Sequence, residues 1–530
     1  MTWLIAVCIA SAITASLILV PLVRFLARTF NIVDRPDAER KLQEKPIALG
    51  GGLAVFLAFV TAFCAAVIVD RQFFERSLGD IPANWYLLFF AAGAILIVGL
   101  IDDAWALRGR QKLLLQCLIV VGLVGSGTVI ETVSLMGFDL QLGVFAYPIS
   151  VLWLLMAVNA LNLIDGADGM ATTAGTFICL GLGFISLQSS ASLLTTLVGF
   201  GMAGALMGFL VFNRPPASIY LGDAGSMMIG LFVGVLAVWS NVKESTVLAS
   251  APIAILAIPL FDSTAAIMRR WLTGRSIYAT DRAHLHHLLQ EKYGNKKMLL
   301  FVAGLCAITT TLSTLSVYLN LPWLAALGVA IVLGILVVTR SFGHAECRLL
   351  LGRASHFAQS FATSPTRCDT EKQQRRVPLQ GVGKWDTIWE PMVDFAKSHD
   401  LAKVKIDLNL AWIHEGYHAS WQSVRLPEKA VQLNICVPLF TKRSSDSSQI
   451  QIGRLEIVAH AESPGVYERI AQLSDQLTDL CPEIDRIVGK LESDRLAIQN
   501  RTTTDSETLP EETGVQRDPE PISMPGVVSR

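Results

Sequence analysis

Charge is what this sequence has least of. Only 16% of its 530 residues are Asp, Glu, Lys or Arg, against roughly 25% in a soluble globular chain. Hydrophobic residues make up 52%. The deficit is uneven: residues 1–340 carry long apolar runs, while residues 341–530 have an ordinary soluble composition. Paired cysteines are also missing. Cys8, Cys64, Cys117, Cys179, Cys306, Cys347, Cys368, Cys436 and Cys481 form no CxxC, and most lie in apolar runs. Buried, inert thiols fit that spacing better than disulfides or a zinc cage. A basic segment ahead of the first apolar stretch is absent too. Thr2–Val20 continues past Pro21 to Ala27, so it reads as a first spanning helix and not as a cleaved leader.

What is present is a series of apolar windows, and a spanning helix needs about 20 such residues. Windows lie near 2–27, 47–69, 84–101, 112–130, 145–161, 170–188, 191–212, 224–241, 247–268, 298–319 and 321–340. The expected fold class is an all-α polytopic membrane protein of about 11 transmembrane helices, with a C-terminal soluble α+β domain. Lys and Arg set the orientation. With the N-terminus outside, the inner loops carry Arg28, Arg35, Arg40, Lys41, Lys45, Arg108, Arg110, Arg214, Arg269, Arg270, Arg275, Arg282, Lys292, Lys296 and Lys297, with Lys112 adjoining. The outer loops hold only Arg71, Arg76 and Lys243. The C-terminal region then also faces the cytoplasm.

The polar motifs fall on that inner face. Residues 99–112 read GLIDDAWALRGRQK, with Asp102 and Asp103 where a helix leaves the bilayer. Adjacent carboxylates there need a cation or a function, or else mark a solvated helix end. Residues 159–169 read NALNLIDGADG: Asn159, Asn162 and Asp165 share a helix face at i, i+3, i+6, and Asp168 follows. Residues 213–226 read NRPPASIYLGDAGS. Asp223 there suits either a helix N-cap or a metal ligand beside phosphate-binding N–H groups. Residues 281–287 read DRAHLHH, and His284, His286 and His287 with Arg275 and Arg282 suit a pyrophosphate. Hard carboxylates without soft ligands select Mg²⁺, or Mn²⁺, over zinc. Mg²⁺ implies a nucleotide diphosphate, and a site at the membrane surface implies a lipid acceptor. Asp262, inside the ninth apolar window, is expected to pair with Arg269 two turns on.

Together these four loops resemble the polyprenyl-phosphate N-acetylhexosamine-1-phosphate transferase family. It includes the phospho-MurNAc-pentapeptide translocases and the bacterial UDP-GlcNAc:undecaprenyl-phosphate GlcNAc-1-phosphate transferases. The resemblance covers residues 1–340. It implies transfer of a sugar 1-phosphate from a UDP-sugar to undecaprenyl phosphate, releasing UMP and starting a lipid-linked surface polysaccharide. It further implies that Asp102, Asp103 and Lys112 are catalytic, with Lys112 meeting the lipid phosphate. Asp223 and Asp103 would hold the metal. Asn159, Asn162, Asp165 and Asp168 would line the nucleotide-sugar site. Asn213 and Tyr220 would contact the uridine, and Arg282, His284, His286 and His287 the donor pyrophosphate. HLHH, where the pentapeptide translocases typically show three consecutive histidines, points to the GlcNAc-1-phosphate branch. Ala106, Gln43 and Ala48 depart from that branch's usual residues, which bears on acceptor or sugar preference. The expected setting is a bacterial inner membrane, with UDP-sugar, undecaprenyl phosphate and the bilayer as partners, room for a homodimer, and no nucleic acid. The alternatives are a pentapeptide translocase, or a non-catalytic scaffold, against which the intact carboxylates argue.

Past a polar linker at 341–376, residues 377–495 read as an α+β domain. A helix is expected from Trp385 to His399, strands at Val404–Leu408, Ala430–Leu439 and Gln449–His460, and a helix over Pro464–Leu491. Residues 496–530 read as a disordered tail. His414-Glu415-Gly416-Tyr417-His418 fits HExxH, but that zinc pattern needs a helix, and this one carries a glycine between strand-like runs.

Overall fold

The computed structural model describes residues 2–34, 46–73, 81–135, 138–188, 193–240, 250–273, 284–344, 347, 350–351, 354, 374–380, 385–410, 413, 415–423, 431–442 and 449–507. Helices α1 (Thr2–Thr29), α2 (Gly51–Phe73), α3 (Ala83–Trp105), α4 (Gly109–Gly125), α5 (Ala146–Ile164), α6 (Met170–Gln188), α7 (Leu193–Asn213) and α8 (Gly222–Trp239) fill the first eight apolar windows. The ninth window is split at Leu256 into α9 (Ser250–Ile255) and α10 (Ala257–Thr273). α11 (Leu285–Tyr318) and α12 (Trp323–Val338) fill the last two. Among the described residues, eight helices are long and apolar enough to cross a membrane: α1, α2, α3, α5, α6, α7, α8 and α11.

Burial sorts these helices. In α7 83% of the apolar window is buried and in α6 and α8 78%, against 28% in α1 and 33% in α11. The first three are therefore the centre of the bundle. On the outer helices exposure does not follow polarity. In α3, Leu88 and Ile95 are fully buried while Phe90 is 77% exposed. An apolar exposed face of that size is what a helix presents to lipid. With its apolar helices and their outward-facing apolar side chains, the chain is a multi-pass membrane protein.

Two details bear on the site. His286 and His287 fall in a helix and not in the expected loop, because α11 starts at Leu285, ahead of the apolar window, with His284 as its N-cap. α11 is bent at Gly294, where φ is 70°, so its histidine-bearing start is set off from its apolar length. A short pair, β1 (Val33–Asp34) with β2 (Ile47–Ala48), lies beside the 213–222 segment through an Ala48–Ile219 bridge. A second hairpin joins β3 (Thr132–Leu135) to β4 (Phe138–Gln141).

Residues 368–530 form a separate compact unit. It contains β5 (Gln374–Gln380), α13 (Asp386–Ser398), β6 (Lys403–Leu410), β7 (Glu415–Gln422), β8 (Gln432–Lys442), β9 (Gln449–His460) and α14 (Val466–Glu507). The sheet order is β5-β7-β6-β9-β8 with every neighbouring pair antiparallel. Pro378 and Pro438 both sit on edge strands, where a missing N–H is tolerated. Val404, Ile406, Leu408 and Leu410 alternate into a core with Ile388, Trp389, Met392 and Val393 of α13. Two expected boundaries move. The sheet opens at Gln374, inside the expected linker, and α14 runs to Glu507, past the expected end at 495. The tail at 508–530 lies outside the described residues. So does His414, but Glu415 and His418 both lie on β7, an odd number of positions apart and so on opposite faces. Glu415 accepts from Trp385 Nε1 (3.1 Å), and His418 faces Asp407 (3.5 Å). These are packing contacts, and the strand denies the HExxH pattern its helix.

Candidate active site

The polar residues converge where α3 ends and α4, α8 and α11 begin. α3 stops because Ala106 takes a left-handed conformation, φ 48°, with its N–H on the Asp102 carbonyl. Asp102 Oδ1 then accepts the Leu107 N–H at 2.7 Å, and Gln111 Oε1 accepts the Arg108 N–H at 3.2 Å. This tight turn sets Lys112, in the first turn of α4, back over the aspartate pair. Lys112 Nζ lies 2.8 Å from Asp102 Oδ2, 2.6 Å from Asp223 Oδ2 and 3.1 Å from Asn162 Oδ1. One ammonium thus ties α3, α4, α5 and α8 together.

Asp103 does something different from its neighbour. Its Oδ1 accepts the Asp223 N–H at 2.9 Å and its Oδ2 the Ala224 N–H at 3.3 Å. These N–H groups open α8 and have no partner within that helix. Asp103 is therefore the cap of α8, supplied by another helix, and each of its oxygens accepts a backbone N–H. This capping is a second role beside the metal contact expected of Asp103, since each carboxylate oxygen keeps a further lone pair. Asp223 is not an N-cap: α8 begins at Gly222, and the Asp223 carboxylate points to Lys112 and Asn162.

The α5 stripe divides. Asn162 Nδ2 donates to Asp223 Oδ1 (2.7 Å) and Ser226 Oγ (3.0 Å). Asn159 donates instead to Gln116 Oε1 (2.9 Å) and the Leu155 carbonyl (2.8 Å). It braces α5 against α4 one layer below the cluster. Asp165 ends α5, and no described residue donates to its carboxylate. Asp168 Oδ2 accepts the Ala217 N–H at 2.9 Å, fixing the 213–222 segment. Asn213 is 2% exposed and committed to protein: its amide donates to the Ile219 carbonyl (3.0 Å), and its oxygen accepts from Thr172 (2.6 Å). That arrangement makes Asn213 a brace for the segment that carries Tyr220. Tyr220 is half-buried, with its backbone bonded to Ala48 and Gly51.

Of the histidines, His284 and His286 are buried and stack in parallel, centroids 5.9 Å apart, with His287 4.0 Å from His286. His286 lies on Gly166: a Cβ there would stand 2.2 Å from its Nε2. The start of α11 and the 165–169 loop are therefore in direct contact. His284 meets Asp262 (3.2 Å), which also takes the Leu285 N–H. Arg275 and Arg282 lie outside the described residues. Gln116 and Ser226, absent from the sequence reading, belong to this network. Each follows a recognised residue at helical spacing, Lys112 by four and Asp223 by three, and that spacing is the signal that could have found them.

Burial pushes the Asp165 carboxyl well above the ordinary carboxylate range, and the charges of Asp223, Asp103 and Asp168 push it the same way. Burial also raises Asp168, against the Ala217 N–H, which lowers it. Burial raises the Tyr220 hydroxyl, aided by the charges of Asp168 and Asp34. Among the described residues no three potential ligands form a ready cage. Even so, Asp165, without a donor and ringed by like charges, fits a hard divalent cation, as do the oxygen donors of Asp223.

The fold and site define a polytopic membrane protein whose carboxylates, lysine and amides meet at one end of a helical bundle. Residues 85–241 match the model of glycosyl transferase family 4. A probable undecaprenyl-phosphate N-acetylglucosaminyl 1-phosphate transferase of Bacillus subtilis is 31% identical over 314 residues, 58% of this chain and 84% of that protein. A decaprenyl-phosphate N-acetylglucosaminephosphotransferase of Mycobacterium tuberculosis is 29% identical over 346 residues, 59% of this chain and 83% of that protein. A phospho-N-acetylmuramoyl-pentapeptide-transferase of Clostridium beijerinckii is 26% identical over 310 residues, 55% of this chain and 88% of that protein. The chain belongs to glycosyl transferase family 4, the polyprenyl-phosphate sugar-1-phosphate transferases.

Proposed function

We propose that this protein transfers GlcNAc 1-phosphate from UDP-GlcNAc to undecaprenyl phosphate, releasing UMP and starting a lipid-linked surface polysaccharide. An oxygen of the lipid phosphate bonds to the sugar-bearing phosphorus, and the bond from that phosphorus to the UMP oxygen breaks. The observation that carries the reading is the Lys112 ammonium held between Asp102, Asp223 and Asn162. A cation poised among carboxylates at a helix end suits an incoming phosphate, because phosphoryl transfer is largely positioning and charge neutralisation. Lys112 meets the lipid phosphate, and Asp102 orients Lys112. Asp103 holds the start of α8 and so sets Asp223. His284, His286 and His287 face the donor pyrophosphate, and Tyr220 faces the uracil. Asp223 and Asp165 would hold Mg²⁺, or Mn²⁺, which when bound neutralises pyrophosphate charge. The setting is a bacterial inner membrane crossed eleven times, with the site and the C-terminal unit facing the cytoplasm.

The test is UMP release by purified protein given undecaprenyl phosphate, Mg²⁺ and either UDP-GlcNAc or UDP-MurNAc-pentapeptide. UMP from the GlcNAc donor is expected. No UMP from either donor refutes the reading, and release with the pentapeptide donor alone makes the protein a translocase.

A further inference from the structure

Asp262 is a carboxylate that the proposed transfer does not use. It lies in α10 and is fully buried, where an acid must be paired or hydrogen-bonded. Its Oδ1 accepts the Leu285 N–H at 2.8 Å, and its Oδ2 lies 3.2 Å from His284 Nδ1. The first bond satisfies an N–H that opens α11, so one helix caps another. The second ties that cap to the leading histidine. Among the described residues no other group bonds the His284 ring. The chain of contact then runs outward: His284 stacks on His286, and His286 rests on Gly166, beside Asp165.

We propose that Asp262 is a positioning residue acting through His284. With Nδ1–H donated to Asp262, the ring is fixed in one tautomer and one orientation, and Nε2 is turned toward the anionic diphosphate of the donor. A carboxylate behind a functional imidazole sets which nitrogen carries the hydrogen and where the ring points. The inference rests on the function proposed above, and it assigns Asp262 a role beyond capping.

Asp262→Asn separates the two roles. The amide oxygen still accepts the Leu285 N–H, so α11 keeps its start. The amide NH₂ now faces Nδ1, which must become an acceptor, and the hydrogen moves to Nε2. UMP release should fall in kcat by at least about tenfold, the scale of such losses, with KM for undecaprenyl phosphate and the melting temperature held. Asp262→Glu, which keeps a carboxylate, should recover part of the loss. Combined with His284→Gln, Asp262→Asn should add nothing, because residues that act through one another are not additive. Nitrogen-15 spectra of histidine-labelled protein should show His284 hydrogen on Nδ1 in the parent and on Nε2 in Asp262→Asn. Full turnover by Asp262→Asn, additive losses, or an unchanged tautomer each overturn the assignment. If the parent releases no UMP, the functional reading fails, while the tautomer signature still tests the Asp262–His284 pair.

Discussion

Asp103 caps α8 from a neighbouring helix, and what that cap contributes can be measured. As a cap, it contributes one good charged hydrogen bond (2.9 Å) and one long one (3.3 Å) to the N–H groups that open α8. A hydrogen bond to a charged group is worth about 1.5–3 kcal/mol, and a carboxylate at a helix start adds roughly 0.3–1 kcal/mol. Asp103→Ala should therefore cost about 2–4 kcal/mol in the stability of this corner. Asp103→Asn keeps an oxygen for the shorter bond and loses the charge, at a cost of about 1 kcal/mol. Glycine at 222 leaves no slack, since φ is +73° and a Cβ there would lie 2.6 Å from Asp103 Oδ2. Both variants should shift Asp223 and lower kcat, alanine more than asparagine. The paired assays are thermal unfolding in detergent and a Mg²⁺ titration of UMP release. The Mg²⁺ half-saturation should move by less than about tenfold, the lower end of the losses expected when a metal site's supporting residue is changed. Asp103→Asn with unchanged melting and a much larger rise in half-saturation would refute capping as its main role and favour direct metal ligation.

Gly166→Ala should reduce UMP release by about 100-fold, because its Cβ would stand 2.2 Å from the buried His286 ring, and misplacement by an ångström costs on that order. Gly122→Ala, with nothing within 4 Å of the added carbon, is the control and should leave turnover intact. Lys112→Met leaves Asp102 and Asp223 without their shared cation and should cost about 2 kcal/mol, below the full penalty for breaking a buried pair because the Asp223 side chain is 35% exposed. It should also abolish turnover, while Lys112→Arg retains stability; full turnover by the methionine variant counts against the assignment. The Mg²⁺ requirement should rise on acidification. Asp165 is raised, so its proton competes with the cation at pH values where an ordinary carboxylate, near about 4, is fully ionised. A half-saturation independent of pH from about 8 to about 5.5 contradicts this.

The helical windows were legible because lipid demands long apolar runs, and each one carries helix. Hydropathy does not register helix ends, so the break at Leu256 and the early start of α11 were not visible. The site was legible where spacing along one helix decides contact. Asn162 reaches Asp223, as its position on the α5 stripe suggests. Asn159, on the same stripe, goes to Gln116, because which residue a second helix presents depends on packing. Asp103 and Asp102 are neighbours with identical side chains, yet one caps a helix and the other pairs with lysine, a division set by where α8 begins. In the C-terminal unit, β6 alternates in sequence, and β9 does so on either side of a change of phase at Gly453 and Arg454. QRRVPLQ and EGYHASWQ, which became β5 and β7, have a proline or a glycine and too few aliphatic residues to show a period of two.

The site also depends on a layer without functional groups. A Cβ at Gly52 would lie 2.3 Å from the Gly225 nitrogen, and one at Gly99 2.3 Å from the Ala224 Cα. One at Gly230 would lie 2.6 Å from the Val158 Cα. α8 is thus met by the backbones of α2, α3 and α5, the close approach that small residues allow where lipid offers helices no hydrophobic drive to associate. Side chains can change rotamer, but backbones packed at this distance can only move as helices. Asp223 is therefore placed by three neighbouring main chains before any hydrogen bond is counted. Lys112 reaches Asp223 from the flexible stem of a side chain, so in the proposed transfer it is the partner that would move to an arriving phosphate. A rigid acid on α8 and a flexible cation on α4 give the site one fixed and one adjustable pole, so the proposed exchange of phosphate for carboxylate at Lys112 would need no movement of the bundle.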